Sequence, residues 1–207
     1  FAVVTAIAAP HYFGALVPLV AAPSTLVEGY QPKQPIAYSH ETHVGQLGMD
    51  CRYCHTTVEE NAFAAIPPTQ TCMNCHHAIQ TKDPEVVKIR EAYESGEPIE
   101  WVKVHDLPDY AYFNHAVHVN SGVGCVECHG RIDHMGEEGV HLVNDLSMGW
   151  CIQCHREPED SIRPVGQVFN LDWNPADATE AEKEEVENII AHLKTDRQRT
   201  DCSTCHR

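Results

Sequence analysis

Most of the chain alternates between short apolar clusters and polar, turn-forming stretches, and three segments carry a pattern that predicts a helix. Phe1 to Val27 contains no charged side chain, the first being Glu28. About twenty apolar residues rising 1.5 Å each can cross a bilayer core, so residues 1–27 read as an N-terminal membrane anchor, its transmembrane helix running from Phe1 to about Ala22. Pro10 and Pro18 would bend that helix, which membrane helices tolerate better than soluble ones. A cleaved signal peptide is the rival reading, for which the run is long. With no methionine at residue 1, the numbering is expected to begin inside a longer chain. The second helix is Pro84 to Ser95, with Asp83 as its cap, proline at its first position and Gly96 past its end. In the third, Thr179-x-x-Glu182 forms a capping box, Val186, Ile189, Ile190 and Leu193 make one apolar face, and the opposite face is acidic. That helix is expected to pack over the last cofactor site or against a partner.

Elsewhere the pattern is irregular. Residues 28–37 form a Gly/Pro/Gln linker, and IPPTQ (Ile66 to Gln70) is a rigid loop. Ile99 to Tyr110 alternates like a strand until Pro108 stops it. The fold class expected is mainly α, with extensive loops and low regular secondary structure.

The cysteines explain the irregularity. All ten lie in five Cys-x-x-Cys-His sequences, at Cys51/Cys54/His55, Cys72/Cys75/His76, Cys125/Cys128/His129, Cys151/Cys154/His155 and Cys202/Cys205/His206. This is the attachment sequence of c-type haem: the cysteines form thioethers to the two vinyl groups, and the histidine gives iron its proximal nitrogen. Zinc ribbons would need units in pairs, and five leaves one over. Disulfides or iron–sulfur clusters would not require a histidine after every second cysteine. Five covalently bound haems c are therefore expected on residues 38–207, in a group at 38–80 and a group at 110–207 joined by 81–109. At roughly forty residues per haem, packing should run through the porphyrins.

Two of the units follow a histidine pair, His40/His43 and His115/His118. The i, i+3 spacing lets both members project from one helical turn. One member could cap the haem just attached and the other a neighbouring haem. Met148 lies three residues before Cys151, where a thioether could ligate iron and raise its potential. His105 is a propionate or backbone partner or a displaced ligand, and His141 is a further candidate. His77 and His192 read as surface histidines, and His11 as an interfacial or partner-facing one.

The balance of 14 basic against 30 acidic residues gives −16. That argues against nucleic acid and suits a basic redox partner or a larger assembly.

Paired histidines before Cys-x-x-Cys-His resemble the class III multihaem cytochromes c. More specifically, HETHVGQLGMDCRYCH, IPPTQTCMNCH, WVKVHDLPDYAYFNHAVHV and LSMGWCIQCHREP resemble the pentahaem cytochrome subunits of alternative complex III, over nearly all of Ser39 to Arg207. The resemblance implies a subunit of a quinol:electron-acceptor oxidoreductase in the cytoplasmic membrane, with the haem domain on the periplasmic side. Its partners would be iron–sulfur and integral-membrane subunits, together with a monohaem cytochrome or soluble acceptor. The haem subunit of a molybdopterin-type complex is a related alternative. Transferred residue by residue, the ligand rule gives His40 to the first haem, His43 to the second, His115 to the third and His118 to the fourth. For the fifth, Met148 stands about where the small three-haem members place a histidine, with His105 and His141 as alternatives.

Three functions follow: an electron relay with every iron six-coordinate, a reductase with one open haem, or a self-sufficient quinol dehydrogenase. The supply of histidines favours the relay, with no catalysis expected from this chain alone.

Overall fold

Several helices begin where a side chain caps them. In the computed structural model, which describes residues 2–21, 27–195 and 197–206, α1 spans Ala2–Val20. Tyr12, Phe13, Val17 and Leu19 stand exposed along it. Among the described residues no helix is long and apolar enough to cross a membrane. The transmembrane anchor expected over residues 1–27 is therefore not carried by the structure; Pro10, His11 and Tyr12 interrupt the apolar run at mid-length. Phe1 and residues 22–26 of that expected anchor lie outside the described residues.

The remaining α-helices are α2 (Cys51–Cys54), α3 (Thr69–His76), α4 (Pro84–Ser95), α5 (His115–Asn120), α6 (Cys125–His129), α7 (Met148–Arg156), α8 (Glu180–Thr195) and α9 (Cys202–Cys205). On α4 the Asp83 carboxylate accepts from the Glu85 and Val86 N–H groups, and Gly96 closes the helix at φ 76°. The left-handed conformation there is one that glycine adopts without steric cost. At α8 the capping box is reciprocal: Glu182 N–H donates to Thr179 Oγ1 and Thr179 N–H to Glu182 Oε2. α8 packs on the 159–167 turn, where Val165 N–H donates to Glu185, Gln167 to Glu182, and Lys194 pairs with Glu159.

The alternating stretch 99–110 forms no strand. Instead of a neighbouring strand it meets one side chain: Val102 N–H donates to Gln34 Oε1 at 3.0 Å, and Gln34 Nε2 donates to the Val102 carbonyl at 2.9 Å. Its alternation records burial on one side, where Ile99 and Trp101 pack on Ile36, Met73 and Ile89.

A second small core joins Val58, Val119 and Val168, with Ala64, Cys125 and Phe169 against it. Packing by protein side chains leaves Phe63, Ile66, Tyr110 and Val117 largely exposed. Such exposure fits a chain whose apolar faces are completed by something other than its own side chains.

Among the contacts between the two groups of attachment sequences, one is especially tight. The π-helical turn Glu41–Gln46 lies on the 3-10 turn Ile132–His134. A Cβ on Gly45 would stand 2.5 Å from the Asp133 carbonyl oxygen, so only glycine permits this approach. Asp133 is buried and held by both arms of Arg131, which also pairs with Asp172.

Candidate haem-binding site

Each attachment sequence sits on or beside a short helix, and helical spacing brings both thiols of Cys-x-x-Cys to the same side. The caps are local: Asp50 accepts from Arg52 N–H before α2, and Ser147 Oγ accepts from Trp150 N–H before α7. None of the ten cysteines is paired in a disulfide. In the fourth sequence Cys151 and Cys154 both lie on α7, half-buried, with His155 following on the same helix. Among the described residues, no group of three or more His, Cys, Asp or Glu side chains converges as a bare metal ion would require.

Most of these histidines share one hydrogen-bond arrangement. Four of the five that follow a cysteine pair turn Nδ1 to a backbone carbonyl: His55 to Ala65, His76 to Ile79, His155 to Arg199 and His206 to Tyr110, at 2.7–3.2 Å. His43, His115 and His118 do the same toward Ser39, Ala62 and Asn114, each at 2.8 Å. A hydrogen bond at Nδ1 sets the tautomer and leaves the Nε2 lone pair for a metal.

The rings are also spaced correctly. Two imidazoles bound to one iron at about 2 Å, each ring centre about 1 Å further out, stand about 6 Å apart. His43 and His76 are 6.1 Å apart, His115 and His129 6.4 Å, and His118 and His155 5.9 Å. Each pair joins a histidine of the upstream pairs to a histidine following Cys-x-x-Cys. Tyr38 stacks on His43 at 4.5 Å and edges His40 at 4.8 Å, fixing the first turn; Phe113 does the same for His118 and His115 at 4.4 and 4.7 Å. These residues fit an iron porphyrin.

Burial sets the electrostatics. It lowers His40 and His105 to about 4 and His129 to about 3, with neighbouring imidazoles adding to each. These rings are neutral at neutral pH, the form that ligates. Burial raises Cys125 to about 11. Cys128 is raised to about 12, by burial first and then by the Cys154 thiol of the next attachment sequence. The Cys54 thiol is also raised, by burial and then by Cys72. Cys151 is raised by burial and then by Cys205.

The remaining candidates are scattered. His40 is half-buried, feels His55, and has a buried Nδ1 with no hydrogen-bond partner. Met148 begins α7, largely exposed. The His105 ring lies edge-on to His129 at 4.3 Å, too close for an iron between them, with a buried, unpartnered Nε2. His141 is half-buried and within electrostatic reach of His105. His77 is exposed and returns Nδ1 to the Met73 carbonyl. His11 and His192 are exposed.

Sequence reasoning missed Arg163. It is 4% exposed, pairs with Glu127 at 2.6 Å, donates to the Asn170 carbonyl, and lies 5.3 Å from the Trp173 ring. Glu127 lies between the two cysteines of the third attachment sequence, so a buried cation stands at its edge. Nothing in the local sequence marks it, because its partners are 36 residues away and in the loop after it.

Residues 111–207 match cytochrome c7 and related cytochrome c. Over 127 residues the chain is 39% identical to the menaquinone reductase, multiheme cytochrome c subunit, of Nitratidesulfovibrio vulgaris. The match covers 59% of each chain, so it spans less than two-thirds of that relative's length. Over residues 111–207 the chain is thus similar to multihaem cytochromes c, and over 127 residues to a cytochrome subunit named for a menaquinone reductase.

Proposed function

We propose that the chain is a five-haem relay, held in a membrane quinone oxidoreductase with its haem domain on the periplasmic side. Three histidine pairs about 6 Å apart carry this reading, because such pairs fill both axial positions and would leave those three irons closed to a substrate. Bound haems supply one-electron redox chemistry. The chain's own residues attach, orient and ligate them. The ligand sets are His40/His55, His43/His76, His115/His129 and His118/His155. The carbonyl bonds at Nδ1 keep most of these rings in place and make them stronger donors.

For the fifth site, His206 is paired with Met148. Support comes from position: Met148 opens the helix that carries Cys151 and Cys154, and the Cys151 thiol lies within electrostatic reach of Cys205. His105 suits the role less, since its ring rests against His129. A thioether favours the ferrous state, so Met148→His should lower one potential and leave four near their original values. Four unchanged and one raised, or no change at all, would remove Met148 from the site.

The direction of flow has two readings. Resemblance to alternative complex III makes the chain the receiver of electrons from quinol, through iron–sulfur and membrane subunits, and the donor to a periplasmic or membrane-bound acceptor. The relative's name, menaquinone reductase, favours the reverse, with electrons delivered toward the quinone. Mass measurement of the holoprotein should find five attached haems, and its spectrum should not respond to carbon monoxide. A carbon monoxide shift would indicate an open iron and a reductase. Within the intact complex, reduction of the haems by a quinol analogue separates the first direction from the second.

A further inference from the structure

The five attachment units are not in space as they are in sequence. Units one to five are numbered along the chain, from Cys51–His55 to Cys202–His206. The first two are neighbours: His40 and His43 flank one turn, and Tyr53, inside unit one, accepts at its hydroxyl from Asn74, inside unit two, at 3.1 Å. Units three and four are neighbours for the same reason. His115 and His118 leave one helix, α5, for His129 and His155. Asn144, just ahead of unit four, donates to the Glu127 and Cys128 carbonyls of unit three.

What joins the two halves is unit one. The loop after it receives α5: the His115 and Ala116 N–H groups donate to the Ala62 and Asn61 carbonyls, His115 Nδ1 also reaches Ala62, and Asn120 donates to Glu59. Cys125 of unit three packs on the core formed by Val58, Val119 and Val168, and its N–H donates to the Val168 carbonyl. Arg52 of unit one lies over the adjacent Phe169 ring at 4.5 Å. Unit two faces the other way, since Cys72 and Met73 pack on the separate core with Ile36, Ile89 and Trp101. Unit five joins unit four: His155 donates to the Arg199 carbonyl, in the turn that leads directly into α9.

We infer that the units form one unbranched path in the order second, first, third, fourth, fifth, and that electrons enter and leave this chain at units two and five. A second observation agrees. Of the ten cysteines, Cys75 and Cys202 alone are exposed, and they belong to units two and five. The ends of a path reach the surface, and its middle is enclosed by neighbours. The redox partners on either side must therefore present their electron-carrying groups to the face around Cys75 or the face around Cys202. Unit one, although first in sequence, serves as an internal link.

This inference rests on the relay reading, and the test separates the two. An experimental structure of the haem-loaded chain gives the iron–iron distances. The shortest links should be two to one, one to three, three to four, and four to five. A unit two iron nearer to unit three than unit one is would overturn the order, as would a unit five iron nearest to unit one or two. A functional arm uses Cys125→Ala with Cys128→Ala. Loss of unit three should split electron exchange, followed by magnetic resonance line broadening, into two groups, units two with one and four with five. Exchange that persists across all four would overturn it. Carbon monoxide binding by an otherwise correctly ordered path would count against the relay and leave the order standing.

Discussion

Arg163 shows how much of the site depends on single side chains that no motif announces. Its charge is buried, and Glu127 is its ion-pair partner. Removing it as Arg163→Ala leaves Glu127 without that partner and a gap beside Trp173 and Gly124. The expected cost is about 2–4 kcal/mol, read by denaturant unfolding of the holoprotein. It should be accompanied by a fall in the potential attributed to the third haem, because a nearby cation favours the reduced state. Asp133 makes a pH-dependent contribution. The Arg131 guanidinium holds its carboxyl below the usual carboxylate range. A lowered folded value means the stabilisation is fully present above the unfolded value, about 4, and is lost as pH falls through the folded one. Stability should therefore drop on acidification below about pH 4, and Asp133→Asn should flatten that window while costing about 1–3 kcal/mol at neutral pH. A variant as steep in acid as the parent would assign the slope to other carboxylates. The histidine after each cysteine pair is visible in the sequence itself, because the motif places it next to a cysteine. Arg163, Asp133 and the Nδ1 acceptors could not, since each depends on a residue brought in by the fold.

At the scale of elements, capped helices were legible and unpaired ones were not. Asp83, Pro84 and Gly96 mark α4 to the residue, and Thr179 with Glu182 marks the start of α8, because capping is local chemistry. The stretch 99–110 misled because alternation reports one-sided burial, and a strand also needs a neighbour. What α8 covers could not be read either; its acidic residues bond to the 159–167 turn, a pairing set by tertiary structure. The contact between the π-helical turn and Ile132–His134 makes a sharp prediction. Gly45→Ala would push Cβ into the Asp133 carbonyl, which is backbone and cannot swing away. The turn carrying His40 and His43 should shift, at a cost of about 1–3 kcal/mol. The first and second haems should change their absorption or potentials and the fourth should not. Equal stability with unchanged spectra would show that the turn has room to yield. Thr179→Ala, which removes only a cap, should cost about 1 kcal/mol and leave every haem signal in place.

For the whole molecule, charge is the property that sequence composition shows most directly, and it bears on partners. The formal balance is −16, and propionates of bound haem add to it. The exposed side of α8 concentrates part of this, with Glu184 and Glu187 facing solvent and Asp177 just before the helix. A field of this sign draws a cationic partner and repels an anionic one over a distance set by salt. The Debye length is about 30 Å at 0.01 M and about 3 Å at 1 M, so the field is felt at low salt and nearly absent at high salt. Oxidation of the reduced holoprotein by a basic soluble cytochrome should therefore slow as ionic strength rises, by about tenfold or more across that range. With ferricyanide, an anion, the rate should rise over the same range. Opposite slopes isolate long-range electrostatics from any general effect of salt on the protein. Replacing Glu184 and Glu187 by glutamine should reduce the slope for the cytochrome if α8 borders the docking face, and leave it intact if docking occurs elsewhere on the acidic surface. Parallel, flat responses to the two oxidants would show that the charge serves solubility and neutralisation within an assembly, and does not guide redox encounter.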